Sequence, residues 1–233
     1  MKSDSGCQMT QVALIHAMRH SLAPIEAAFA EHWADARVTN LLDDSLAADL
    51  PADGVLDGRM TDRFLALGRY AVSLGTDAIL FTCSAFGPCI QAVRADLAPL
   101  PVRGPNDAMI ADLAAISGRI ALVASFAPTL RRLAAEVPAD LQIEPIHVEG
   151  ALAALDAGDP LRHDMLVVRA LRDRSYAAVV LAQYSLARAA PAISAAMDTR
   201  VLTAPGAAVR ELRRAATGAS LQRDRAAADS LRR

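Results

Sequence analysis

One amino acid is almost missing. Lys2 is the sole lysine of this 233-residue chain, and every other fixed cation is arginine. Arginine cannot form a Schiff base. The sequence therefore argues against pyridoxal phosphate held on a lysine, against lysine-dependent aldolase chemistry and against a Walker-type phosphate loop. No Gly-x-Gly-x-x-Gly occurs, so a dinucleotide-binding fold has no support, and no cofactor is expected. Aromatic residues make up only 4%, no basic run exists and the formal net charge is -2, so no nucleic-acid partner is expected. The longest apolar runs, 120–126 and 177–182, are too short to cross a bilayer, and no membrane partner is expected. The start, MKSDSGCQMTQ, is polar and has no signal-peptide core. Cys7, Cys83 and Cys89 make an odd and small set for a disulfide framework. The expectation is a cytoplasmic protein with reduced thiols and a disordered tail over residues 1–10.

Against these absences stands a regular alternation. Short apolar, often β-branched runs predict strands at Val12–His16, Arg37–Leu42, Ala78–Cys83 and Pro101–Arg103. A second set follows at Arg119–Ala124, Gln142–Val148, Ala177–Gln183 and Arg200–Thr203. Amphipathic stretches between them predict helices, among them Pro24–Ala34, Asp57–Leu74, Pro88–Leu97 and Pro160–Arg174. Strand and helix in turn indicate an α/β fold with mainly parallel sheets, and near-continuous apolar strands indicate sheets covered on both faces.

The two strand sets also resemble each other. VALIHA from Val12 matches IALVAS from Ile120, and PVRGPNDAMI from Pro101 resembles RVLTAPGAAV from Arg200. GTDAILFTCSAFGPCIQAV from Gly75 lies against RSYAAVVLAQYSLARAAPAI from Arg174, with Asp77 on Ala177 and Cys83 on Gln183. One α/β unit used twice predicts two pseudo-symmetric lobes of four strands each. The expected division is 11–110 plus about 206–225 for the first lobe and 111–205 for the second. Ligands of open α/β sheets bind outside the strand C-terminal ends, so the site is expected between the lobes, with Cys83 and Gln183 on opposite walls.

ILFTCSAFGPCI, residues 79–90, is the densest motif: an apolar strand ends on Thr82 and Cys83, and a helix opens near Gly87-Pro88. A cysteine there is either a small buried hydrophobe or a thiolate favoured by the helix N-terminus. Cys89, inside the helix, reads as packing, and Cys7 as a tail residue. His16 and His20 are four apart, but His16 ends a strand, so a shared metal is not expected.

The whole arrangement resembles the aspartate/glutamate/hydantoin racemase superfamily, which includes maleate isomerase and arylmalonate decarboxylase. DAILFTCSAFGPCI, PVRGPNDAM, RIALVASFAPTL and AAVVLAQYSLA carry the resemblance, which runs from about Val12 to Leu212. It implies two flavodoxin-like lobes around a cleft, a cofactor-independent racemase or isomerase, and a cysteine from each lobe flanking a carbon next to a carboxylate. Here Gln183, Tyr184 and Ser185 stand where the second-lobe cysteine is expected. Arylmalonate decarboxylase also has one cysteine, but its resemblance implies the thiol in the other lobe.

Cys83 is accordingly the expected acid–base, with acidity raised by the adjoining helix start. Tyr184, if the cleft lowers its pKa, His16 or a water would be its partner. N–H groups of Ser84, Ala85 and Phe86 and the hydroxyls of Thr82 and Ser84 are candidates to hold a carboxylate or enolate oxygen. In the second lobe Ser125 and Thr129 match the family's substrate-binding hydroxyls, and Gln183 and Ser185 border an opposite anion pocket. Ser21, Asp43 and Asp44 lie in loops that close the first two strands. The serines have an ordinary alternative use as helix caps.

The expected substrate is a small amino acid-like carboxylate or a dicarboxylate, and the expected assembly a homodimer. Two further functions stay open: a one-thiol decarboxylase with an apolar pocket built from Phe81, Phe86 and Phe126, and a binding protein that has lost catalysis.

Overall fold

The computed structural model describes residues 9–51 and 53–230, the part from 219 onward as backbone only. Residues 1–8, with Cys7 and most of the expected tail, lie outside the described residues. The first half runs β1 (Gln11–His16), α1 (Leu22–His32), β2 (Arg37–Leu42), α2 (Ser45–Ala48), α3 (Gly58–Ser73), β3 (Ala78–Phe81), α4 (Gly87–Asp96), β4 (Val102–Arg103) and α5 (Asp107–Leu113). The second runs β5 (Ile120–Ala124), α6 (Ala127–Glu136), β6 (Ile143–His147), α7 (Ala151–Asp156), α8 (Pro160–Leu171), β7 (Ala178–Leu181), α9 (Ala190–Ala196), β8 (Arg200–Thr203) and α10 (Ala204–Ser230).

Two separate sheets result, ordered β2-β1-β3-β4 and β6-β5-β7-β8, and every pairing in them is parallel. Parallel neighbours need crossovers, which the intervening helices supply. Val12 pairs with Ala78 in the first sheet and Ile120 with Ala178 in the second. These are the residues that the sequence repeat superposes, so the two lobes share register as well as order.

Side-chain alternation splits the interior into three layers. Val12, Leu14, Ala78 and Leu80 of the first sheet and Ile120, Leu122, Ala178 and Val180 of the second enter one common core, closed by α1, α5 and α10 through Phe29, Met109, Val209 and Leu212. The opposite faces are private. Ala13, Ile15, Ile79 and Phe81 pack against Phe64, Phe86 and Val93 of the first lobe, and Val123, Val179 and Leu181 pack against Val167, Leu171 and Ile193 of the second. Burial on both faces is why these strands read as unbroken apolar runs.

The turns after β1, β3 and β7 are single 3-10 segments, Arg19–Ser21, Ser84–Phe86 and Tyr184–Ala189. They bring the strand C-terminal ends of both lobes together. Asn106 Nδ2 donates to the Ala182 carbonyl at 3.3 Å, and the Tyr184 hydroxyl donates to the Pro105 carbonyl at 3.2 Å. Among the described residues no helix is long and apolar enough to cross a membrane.

Candidate active site

Where those strand ends meet, the lobes enclose a small chamber. Met18, Ser21, Thr82, Cys83, Ser84 and Pro105 line it from the first lobe, and Thr129, Ala182, Gln183, Tyr184 and Ser185 from the second. Its volume is about 20 Å³, room for roughly one water. A larger groove of about 560 Å³ runs beside α1 and shares Ser185 with the chamber. Arg19 and Arg188 in its lining are already paired with Asp44 and Asp164, and His20 bonds Asp156.

Cys83 caps the strand end in an extended conformation and is half-buried. The expected acidification is not found. Burial pushes its thiol up to about 11, and the Ala85 N–H, which approaches the sulfur, offsets only part of that shift. One local donor is present, but desolvation is the larger effect. The side chain of Cys89 is in the private core of the first lobe, with burial raising its thiol as well.

Tyr184 also departs from expectation. Its ring is buried, its hydroxyl is turned to Pro105, and burial holds it well above the ordinary phenol range. It is no proton exchanger near neutrality. Gln183 is turned as well. Its Oε1 accepts from the Ser125 N–H at 2.6 Å, the Phe126 N–H at 3.0 Å and the Ser125 hydroxyl at 3.2 Å. The carboxamide thus occupies the donors at the start of α6, so Ser125 serves Gln183 rather than an open anion pocket. Thr129 and Ser185 do line the chamber, and Ser84 reaches toward Thr129 and the Ala182 carbonyl at 3.5 Å.

Asp43 is not among the chamber's walls. Its carboxylate binds Ser45 and Arg63, which keep its pKa low against a counteracting desolvation. Asp44 pairs with Arg19 at the surface. Phe86 packs against Phe64 with ring centroids 4.9 Å apart, and Phe81 stacks on Phe64 at 5.4 Å. Both are core, and Phe126 packs partly against the same cluster, so no apolar pocket forms from them.

His16 is fully buried behind Ser21 and Thr82, not in the chamber wall, and burial lowers its pKa although Asn40 and Glu26 act to raise it. It and His20 turn to different partners, Asn40 and Asp156. Among the described residues no cluster fit to hold a metal occurs. Asn40 and Asn106 were missed by sequence reasoning. An asparagine inside the strand run RVTNLL, where that residue type is disfavoured, was the available signal for the first. Asn106 lies in PVRGPNDAM, where its neighbours Pro105 and Asp107 make it look like an ordinary turn residue.

The class defined by these features is a two-lobed α/β protein with a cysteine at an interlobal chamber. No protein-family model matches the chain, and no curated protein matches it. Solved structures do. Glutamate racemase from Francisella tularensis in complex with D-glutamate superposes with a TM-score of 0.71 at 12% identity, over 91% of this chain and 82% of that one. An aspartate racemase from Picrophilus torridus gives 0.66 at 14%, over 89% and 94%. Unliganded arylmalonate decarboxylase gives 0.56 at 17%, over 90% and 94%. The chain shares the two-lobed fold of these structures.

Proposed function

We propose that this chain is a cofactor-independent isomerase that moves a proton at the carbon next to a carboxylate of a small, amino acid-like or dicarboxylate substrate. Cys83 is its thiol proton carrier. The observation that carries this reading is the placement of Cys83 at the end of β3, facing a chamber built by both lobes. With Tyr184 committed to Pro105, Cys83 is the chamber's ionisable group with a free role. The fold shared with glutamate and aspartate racemases adds to that support.

A thiol held near 11 rests as S–H at neutral pH, so Cys83 is poised to give a proton. A carbon next to a carboxylate is weakly acidic, and its carbanion delocalises into the carboxyl group. A positioned proton carrier on such a carbon contributes about 100-fold or more. The test incubates amino acids, hydantoins, malonates and maleate with the protein in heavy water. Deuterium is expected on the carbon of recovered substrate, with the Cys83→Ala variant slower by about 100-fold. Full activity in the variant removes the thiol from the mechanism. Carbon dioxide release from malonates without exchange makes the protein a lyase, and stabilisation by ligand without turnover makes it a binding protein.

A further inference from the structure

A chain of polar groups lies behind the chamber in one lobe only. His16 Nε2 is 3.0 Å from Asn40 Oδ1, and Asn40 Nδ2 donates to Glu26 Oε1 at 2.8 Å. A carboxylate can only accept, so Glu26 fixes which way the Asn40 amide faces. Asn40 Oδ1 then meets His16, and it too can only accept. The ring proton is therefore on Nε2, and Nδ1 presents a lone pair. Two hydroxyls face that lone pair, Thr82 at 2.9 Å and Ser21 at 3.0 Å. Ser21 donates to the Met18 carbonyl at 2.7 Å, and the other acceptors that Thr82 can reach are farther than Nδ1, the Ser21 hydroxyl at 3.0 Å and the Ile15 carbonyl at 3.4 Å. The Thr82 proton is thus the one directed at Nδ1.

The fold does not require this chain. Strand register places Leu14 beside Asn40 in the first sheet and Leu122 beside Pro145 in the second. His16 and Ala124 end the equivalent strands, and the N–H groups of Thr82 and Ala182 donate to equivalent carbonyls, Ile15 and Val123. So the second lobe builds the same corner from Ala124, Ala182 and Pro145. Burying His16 and Thr82 instead carries a desolvation cost that the twin lobe avoids.

We propose that Asn40 and Glu26 are positioning residues that hold His16 as the Nε2–H tautomer, so that Nδ1 draws the Thr82 proton and makes Thr82–His16 the second proton carrier of the chamber. The proton-carrier half rests on the isomerase reading, while the tautomer half does not. In the step, the substrate C–H bond breaks and its electron pair stays on the carbon, spread into the carboxylate. The Thr82 oxygen gains that proton as its own passes to His16 Nδ1, giving an imidazolium held by Thr82 and Asn40. Cys83 S–H then protonates the carbon and becomes a thiolate, and proton exchange with solvent restores both groups. The titratable groups around His16 are Glu26 on α1 and Cys83 after β3, and from the end of β2 Asp43, whose carboxylate is tied to Arg63 and Ser45.

Nitrogen-15 NMR of the histidine ring in the full chain tests the first half without any substrate. The native protein is expected to show protonated Nε2 and bare Nδ1 near neutral pH. Asn40→Leu, on an exposed edge strand that tolerates it, should lose this fixed tautomer, and Glu26→Leu should mix the two forms. Asn40→Asp puts a carboxylate against Nε2–H and should raise the His16 titration by about one pH unit or more, moving the acid limb of the exchange profile upward with it. In exchange assays Asn40→Leu should lose about tenfold in kcat with KM little changed. A native proton on Nδ1, or an Asn40→Leu protein with unaltered tautomer and titration, overturns the positioning role. Unaltered kcat in that variant overturns the proton-carrier role. If no carboxylate exchanges at all, the isomerase reading falls, and the spectra still decide the tautomer.

Discussion

At Cys83 two local influences oppose each other, and their difference in size decides the resting state. The Ala85 N–H stabilises a thiolate by one hydrogen bond, while loss of solvent penalises the charge as a whole. The order of strand end and Gly87-Pro88 in the sequence points to a helix start beside Cys83 and to free N–H groups at Ser84, Ala85 and Phe86. The desolvation is not written in that order, because it depends on how closely the other lobe shuts. The same limit explains Tyr184 and Gln183. Both line the chamber, but Pro105 and Ser125, the groups that engage them, come from the opposite lobe and from the turn after β5.

The sign for stability follows directly. The folded state keeps the Cys83 proton to about 11, whereas an unfolded thiol loses it near 9.0. The contribution is complete below the lower value and is lost as pH rises through the upper one. Chemical denaturation at a series of pH values should therefore show native stability falling more steeply between those values than that of Cys83→Ala. Parallel curves would show that the thiol is solvated as in the unfolded chain.

Elements were the most legible level. All eight strand runs form strands, two of them, Arg37–Leu42 and Arg200–Thr203, with the expected bounds. Repeated order became repeated register around the central strands β1, β3, β5 and β7, which are buried nearly throughout, while β2, β6 and β8 keep partly exposed faces. Boundaries moved where turns intervene: β3 and β7 stop at Phe81 and Leu181, releasing Cys83 and Gln183 as extended leads into 3-10 turns. Helix packing was less legible. Gly68 lies inside α3, where its lack of a side chain looks like a weakness, yet a Cβ there would sit 2.7 Å from Val93 Cγ1 of α4. Valine is stiff about χ1 and has little room to yield. Gly68→Ala is expected to lose about 1–3 kcal/mol to overpacking despite its better helix propensity, measured by urea denaturation. A stabilised variant would mean that α3 and α4 can separate freely.

Taken as a whole, the molecule joins two lobes through one interior layer. Leu212 of α10 is wholly buried in it, with strands from both sheets. Leu212→Ala is expected to lower stability by about 2–5 kcal/mol while unfolding stays a single transition. Trp33, the chain's one tryptophan, lies in this layer and gives a fluorescence probe to set against circular dichroism of both sheets. Two transitions in either protein would mean that the lobes melt independently.

A chamber with space for roughly one water has a consequence for affinity. Any guest larger than that must first pry the halves apart, so the free energy of parting Asn106 from Ala182 and Tyr184 from Pro105 is subtracted from every binding free energy and raises every dissociation constant. Weakening those two clasps would tighten ligand capture without touching a single atom that meets the ligand, and soaking a lattice that pins them shut would return no guest at all.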